Sequence, residues 1–264
     1  MEYRYGFIGC GNMGGTLVSV VASGIGGELV CVFDCDEQKT AELERKLGVK
    51  RLSTEELIEK SKYIVLGVKP QILPKVCQGI KNLTADKIVI SMAAGVKVEK
   101  VREYLGGFQG GVIRIMPNTP CGVGAGIIGY TPSNLSSSDE KTFVSDFANS
   151  GKVNRVEEKD MDAVCAVSGS GPAFVYMFAE GMIEGAKASG MTDEQAKTYA
   201  IQTLLGGATM LLNGEDPALL RKKVCSPNGT TLEGVRELVK GNLINDVSSA
   251  VQAACRRSKE LSGN

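Results

Sequence analysis

Histidine is absent from all 264 residues, which removes the side chain that most often moves protons near neutral pH. Chemistry must fall to carboxylates, Lys, Tyr, Cys or hydroxyls, or to a substrate that needs little acid–base help. Tryptophan is absent too, and aromatics make up only 5%, so the core is expected from aliphatic and small side chains. Net charge is also lacking, since 30 Lys+Arg face 30 Asp+Glu. That balance gives no electrostatic ground for a nucleic-acid or anionic-membrane partner. The more apolar stretches, such as Leu17–Ala22 and Leu29–Phe33, are far too short to span a bilayer. The opening Met-Glu-Tyr-Arg-Tyr has no apolar h-region of a secretion signal. The eight cysteines form no Cys-x-x-Cys pair. Without histidine beside them a zinc site is not expected, and they read as reduced thiols of a cytoplasmic protein.

What is plentiful is glycine, with 33 residues, and a β/α alternation along the first half. Strands are expected at Tyr5–Ile8, Leu29–Phe33, Tyr63–Val68, Lys87–Met92, Val112–Met116, Gly126–Tyr130 and Gly151–Val156. Helices are expected through about Ser23, then at Glu37–Leu47, Pro74–Ile80, Val98–Leu105 and Ser138–Ser150. Such alternation predicts a mostly parallel sheet covered on both faces. After about Glu157 only helical periodicity is left, at Pro172–Ser189, Thr192–Leu212, Pro217–Val224, Leu232–Lys240 and Leu243–Leu261. The breaks carry Gly190, Asn213-Gly214, Pro227-Asn228-Gly229 and Gly241-Asn242. An α/β domain over 1–157 and an all-α domain over 158–264 are therefore expected. The helices of the second part are rich in Ala, Gly and Ser, which suits close packing inside the domain or between subunits alike.

Gly9-Cys10-Gly11-Asn12-Met13-Gly14 fits G-x-G-x-x-G. It follows a strand, opens a helix, and precedes a second strand that ends in Asp34. Together these make the dinucleotide fingerprint of a Rossmann-type doubly wound sheet. Gly9 permits the tight turn, Gly11 lets the backbone approach a pyrophosphate, and Gly14 allows close helix–strand packing. The helix N-terminus then faces the phosphate charge. Asp34 suits the adenosine ribose hydroxyls and would repel a 2′-phosphate, which leans towards NADH; capping of the next helix together with Asp36 is the plainer role. No Arg follows closely, although Lys39 is within reach. Two further loops, Val68-Lys69-Pro70 and Ala93-Ala94-Gly95, leave strand ends where α/β sheets place ligands.

These segments occur in order with Arg114-Ile-Met-Pro-Asn-Thr-Pro120, Ser168-Gly-Ser-Gly-Pro-Ala173 and Ser226-Pro-Asn-Gly-Thr-Thr231. Over nearly the whole chain the set resembles the pyrroline-5-carboxylate reductase family. The resemblance implies an N-terminal Rossmann domain, a C-terminal helical dimerisation domain, and a homodimer that can assemble into a decamer. It implies hydride transfer from NAD(P)H to the C=N bond of 1-pyrroline-5-carboxylate, giving L-proline. Cofactor contacts are implied at Ile8, Gly9, Cys10, Gly11, Asn12, Met13, Gly14, Asp34, Thr54, Val68, Lys69, Pro70, Ala93, Ala94, Gly95 and Asn118. Substrate contacts are implied at Ser226, Gly229, Thr230 and Thr231, with Thr231 also near the ring nitrogen as the catalytic hydroxyl.

The local sequence agrees: Asp216-Pro217 looks like a cap and first residue of a helix, and the Ser226–Thr231 turn opens another. Thr230 to Glu233 has capping-box spacing, so capping alone is the plainer use of the threonines. Glu233 would compete with a carboxylate unless it points away. Three departures from the pattern stand out. Asn228 replaces a glycine but tolerates positive φ, Asp34 replaces the smaller residue of NADPH users, and Thr54 replaces an asparagine.

Three other functions fit parts of the pattern, one of them the same imine reduction on another cyclic imino acid such as the six-membered homologue. A 3-hydroxyacid dehydrogenase would resemble the chain near Gly169-Ser-Gly171 but needs a catalytic lysine where Phe174-Val175 stand. A non-catalytic redox sensor would need the glycine turn and not Ser226–Thr231.

Overall fold

The computed structural model describes residues 2–84 and 86–261. Its secondary elements run β1 (Tyr3–Ile8), α1 (Asn12–Ile25), β2 (Val30–Phe33), α2 (Glu37–Leu47), β3 (Lys50–Arg51), α3 (Thr54–Lys60), β4 (Ser61–Leu66), α4 (Leu73–Ile80), β5 (Ile88–Ser91), α5 (Val98–Tyr104), β6 (Gly111–Met116), β7 (Gly126–Ser133), α6 (Ser137–Asp146), β8 (Gly151–Arg155) and α7 (Met161–Val164). Helices α8 (Gly171–Ala188), α9 (Asp193–Leu212), α10 (Pro217–Val224), α11 (Thr230–Lys240) and α12 (Leu243–Leu261) complete the chain. The strands form one sheet in the order β3-β2-β1-β4-β5-β6-β7-β8. Every pairing is parallel except β6 with β7. The fold is therefore the expected α/β class, with an all-α second part.

The central strands carry no polar alternation. All four residues of β5 and all six of β6 are buried, as a parallel sheet covered on both faces requires. One core layer gathers Phe7, Val32, Val65 and Ile90 with Leu17 and Val21 of α1. The other gathers Ile8, Ile64, Leu66 and Val89 with Leu57, Leu73 and Val101. Strand order reverses at β1, which lies between β2 and β4. That is the switch point where such sheets leave a crevice at the strand ends, and the glycine turn follows β1 directly.

Three elements have no counterpart in the sequence reading: the short helix α7, and a strand and helix between α2 and β4. Strand β3 is two residues long and pairs with β2, Val32 facing Arg51. Helix α3 follows it through a capping box: Ser53 Oγ accepts from Glu56 N at 3.2 Å, and Ser53 N donates to Glu56 at 3.3 Å. The helix expected over Ser138–Ser150 ends at Asp146, and a 3-10 turn occupies Ala148–Ser150.

Contacts divide the chain into two compact units. The first takes in residues up to Ser170 and, again, the chain from Ala254; the second is Gly171–Ala253. The sequence changes character at 157, yet α7 and the π-helical turn Cys165–Gly169 stay with the sheet. Met161 and Ala166 are fully buried there, and Ser258 of α12 donates to Asp162 at 2.6 Å. In the second unit α8 and α9 pack side by side, with Ala196 and Ala200 of α9 buried.

Candidate functional site

The glycine turn between β1 and α1 is locked by backbone geometry. Gly9 has φ +97°, a value open to glycine and costly for other residues. A Cβ on Gly14 would stand 2.1 Å from the Gly9 carbonyl oxygen, so the helix can approach the strand only with glycine there. At Gly11 a Cβ would meet nothing within 4 Å. The space beside Gly11 is thus a cradle next to bare backbone. Helix α1 begins there with no side-chain cap and no acidic residue in its first turn. Its first N–H groups are left to an external anion. Asn12 is exposed, Met13 packs on the core, and Ile8 is buried beneath.

Asp34 does not cap α2. Asp36 does, accepting from Gln38 N at 3.1 Å. Both carboxylate oxygens of Asp34 serve the loops instead: one accepts from Cys10 N at 2.7 Å, the other from Asp36 N at 2.9 Å. The carboxylate is thereby pinned to the glycine turn and keeps lone pairs for ribose hydroxyls. Burial and the Asp34 charge push the Cys10 thiol up to about 12, so it stays protonated, donating to Phe33 O at 3.7 Å.

A cavity of about 490 Å³ opens beside Asp34, lined among others by Phe33, Cys35, Arg51, Leu52, Ser53 and Glu56. Arg51 was not among the residues expected from sequence. It arrives on β3, and its guanidinium pairs with Glu37 at 3.2 Å. Thr54 is the first residue of α3 and lies next to this lining rather than in it. Lys39, the cation the sequence pointed to, is absent from this lining; it pairs with Asp36 at 3.3 Å and lines a groove of about 380 Å³ together with Cys10, Gly11 and Asn12 of the glycine turn.

The remaining loops sit at the same ends of the strands. After β4, Gly67 N donates to Ile8 O at 2.8 Å, bringing Val68 against the glycine turn; Lys69 is exposed and Pro70 half-buried. After β5, Ala93 is buried, Ala94 half-buried, and Gly95 takes φ +75° against the backbone of Leu261. After β6, Asn118 is buried and accepts from Ile127 N at 2.9 Å. These loops and the glycine turn share the crevice edge of the sheet.

The second unit holds the other candidate segment. Asp216 caps α10, accepting from Ala218 N at 2.8 Å and Leu219 N at 3.0 Å, with Pro217 at the first position. The chain then turns through Ser226–Gly229, closed by Gly229 N donating to Ser226 O at 3.1 Å. Asn228 adopts φ +58°, the conformation expected of the residue that replaces glycine. Helix α11 starts after Gly229, which is extended at φ −80° and ψ 158° and supplies no side-chain cap. The capping box expected from Thr230 and Glu233 does not form, because both threonines already lie inside the helix. Glu233 pairs with Arg236 instead. Ser226, Thr230 and Thr231 are exposed. The three residues lie around the start of a helix with no side-chain cap, where the helix dipole favours an anion. Among the described residues no group of three or more His, Cys, Asp or Glu is placed to hold a metal.

Comparison with known proteins agrees along the whole length. Residues 158–261 match the family described as pyrroline-5-carboxylate reductase dimerisation. Residues 4–95 match NADP oxidoreductase, coenzyme F420-dependent. The pyrroline-5-carboxylate reductase of Arabidopsis thaliana is 37% identical, over 99% of this chain and 96% of its own. That of Escherichia coli strain K12 is 37% identical, over 99% of both chains. The crystal structure of Plasmodium falciparum pyrroline carboxylate reductase with NADP bound superposes with a TM-score of 0.90 at 32% identity, covering 99% of each chain. A prephenate dehydrogenase from Aquifex aeolicus, at 13% identity and a TM-score of 0.54, shares the fold alone.

Proposed function

The chain belongs to the pyrroline-5-carboxylate reductase family, and from that premise we propose that it reduces the C=N bond of 1-pyrroline-5-carboxylate to give L-proline, completing proline synthesis, with a nicotinamide dinucleotide as reductant. The observation that carries the reading is a pair of helix N-termini without side-chain caps, each entered through a glycine turn. One suits a diphosphate and the other a carboxylate, and this substrate and this cofactor carry those two groups.

The first unit fits the dinucleotide, because the cradle at Gly11 and the pinned Asp34 are features that protein packing leaves unfilled. Gly9–Gly14 would hold the diphosphate, Asp34 the ribose hydroxyls, and Thr54 the adenosine side. Val68, Lys69, Pro70, Ala93, Ala94, Gly95 and Asn118 would frame the nicotinamide end. When bound, the reduced nicotinamide supplies the hydride. Asp34 favours NADH, since its fixed charge opposes a 2′-phosphate.

Ser226, Thr230 and the N–H groups that open α11 bind the substrate carboxylate. Thr231 holds the ring nitrogen. The imine carbon gains the hydride as C=N becomes C–N, and the nitrogen keeps the proton it carried as an iminium or takes one through the Thr231 hydroxyl. A protonated cyclic imine is already a good hydride acceptor, so alignment and exclusion of water do most of the work. This is chemistry that a chain without histidine can perform.

A homodimer through the second unit follows from its surface. Tyr176, Met177, Tyr199, Ile201, Leu205 and Leu212 are all more than half exposed in the single chain, more apolar surface than a monomer leaves open. A Cβ at Gly181, Gly185, Gly206 or Gly207 would meet nothing within 4 Å, so packing within the chain does not require these glycines. Five such dimers would make the decamer that the resemblance implies. Its unpaired cysteines suit the reducing cytoplasm.

The substrate's carboxylate gives the test. 1-Pyrroline, which lacks it, should be reduced about tenfold to a hundredfold less efficiently than 1-pyrroline-5-carboxylate, the effect of losing hydrogen bonds to a charged group. Equal efficiencies would remove Ser226–Thr231 from recognition. Oxidation of 3-hydroxyacids with NAD⁺ in place of imine reduction would overturn the assignment.

A further inference from the structure

Arg51 stands in the ribose-side cavity with no part in the reading above. Strand β3 sets it in register beside Val32, two residues before Asp34. Its neighbours on the lining are Asp34, Glu37 and Glu56, so it is the only basic side chain there among the described residues. Three carboxylates around a dianion would exclude it; one guanidinium among them changes the outcome. We propose that Arg51 receives the 2′-phosphate of NADPH, so that the site takes NADPH as well as NADH. The proposal rests on the reading of the first unit as a dinucleotide site.

The geometry supports the exchange. Glu37, the present partner of Arg51, has a side chain 86% exposed. An ion pair that open to water is weak and yields to a phosphate, which a guanidinium meets with two parallel N–H bonds. Asp34 does not move out of the way, being held by Cys10 N and Asp36 N. Those two N–H donors face the carboxylate and offset part of its charge. Asp34 then reads the ribose hydroxyls of NADH, and Arg51 offsets its repulsion when the 2′-position carries phosphate.

Calorimetric titration of the full-length protein with 2′,5′-ADP and with 5′-AMP tests this without turnover. Both should bind the wild type. Arg51→Ala should weaken 2′,5′-ADP about tenfold or more relative to 5′-AMP, the loss expected for a charge-assisted bond, and Arg51→Lys should restore part of it. The ratio of kcat/KM for NADPH to that for NADH should fall in step. Glu37→Gln, at an exposed position, should tighten 2′,5′-ADP by freeing the guanidinium, which keeps the idea testable even if Arg51→Ala folds poorly. Equal weakening of both ligands by Arg51→Ala, or no change in either, sinks the proposal alone. A wild type that binds neither ligand sinks the dinucleotide reading, and the proposal with it.

Discussion

Three glycines in one turn do different work, and their substitutions separate binding from folding. Gly14→Ala drives a methyl into the Gly9 carbonyl, 2.1 Å away, and should lower the melting temperature by at least about 5 °C. Gly11→Ala meets no atom within 4 Å. It should melt within about 2 °C of wild type while losing at least about tenfold in dinucleotide affinity, because the methyl occupies the cradle. A Gly11→Ala protein that binds NADH or NADPH normally would move the diphosphate elsewhere. At the other helix entrance, Thr231→Ala should depress kcat and leave the cofactor dissociation constant unchanged; unaltered kinetics would take Thr231 out of the mechanism. The glycines were legible in the sequence because their backbone demands are local. The bond from Cys10 that ties Asp34 to the glycine turn was not, since the two lie 24 residues apart and only the sheet brings them together. Asn228 was legible for the same local reason as the glycines: the turn asks for positive φ, and asparagine can give it.

Among the elements, α6 shows how the sheet holds its cover. Tyr63 Oη donates to Asp139 at 3.1 Å and Tyr130 Oη to Glu140 at 3.0 Å, while Tyr5 Oη reaches Asp146 at 3.1 Å. Each carboxylate is also paired with a cation: Lys62, Arg155 and Arg4 respectively. Strands β4, β7 and β1 are tied to one helix by three such chains. Burial pushes the Asp139 carboxyl up, but bonds from Lys62, Ser136 and Tyr63 together outweigh it and hold the group below its usual range.

A lowered folded-state value contributes stability above the unfolded carboxyl's titration near 3.9 and loses it as pH falls through the folded value. Asp139→Asn should therefore cost about 1–3 kcal/mol at pH 7. The gap to wild type should close below about pH 4 in urea melts run across pH. A gap that persists undiminished in acid would mean that packing, not the ionised carboxylate, is at stake. The long helices could be read from periodicity, and α10 from its Asp-Pro start. Strand β3 could not, because two residues carry no period. Its neighbour α3 did leave a signal, the Ser53 to Glu56 capping spacing ahead of Leu57 and Ile58. Arg51, which lines the cavity beside Asp34, left no signal in the sequence because it rides on the element that periodicity cannot see.

At the scale of the whole molecule, the second unit is the part a lone chain leaves unfinished. Ile201, Leu205 and Leu212 share a face of α9 and are each more than half exposed. Leu205→Glu should convert a stable dimer to monomer in light scattering and lower the melting temperature; an unchanged dimer would place the interface on another face. Composition alone told that small residues line these helices. That packing within the chain does not require several of their glycines became visible only once the fold showed open space beside them. The segment 158–170 makes the same point: the change of character at 157 assigned it to the helical part, while the fold, with Met161 and Ala166 buried, keeps it with the sheet.

Hydride transfer to an imine carbon is the claim on which the rest depends, and isotope transfer measures it directly. NADH and NADPH carrying deuterium at the transferable C4 position would be mixed in turn with 1-pyrroline-5-carboxylate and the full-length protein, and the product weighed by mass spectrometry. L-Proline one mass unit heavier, with the label on C5, is the predicted result with at least one of the two cofactors. Unlabelled proline, or none at all with either cofactor, would contradict it.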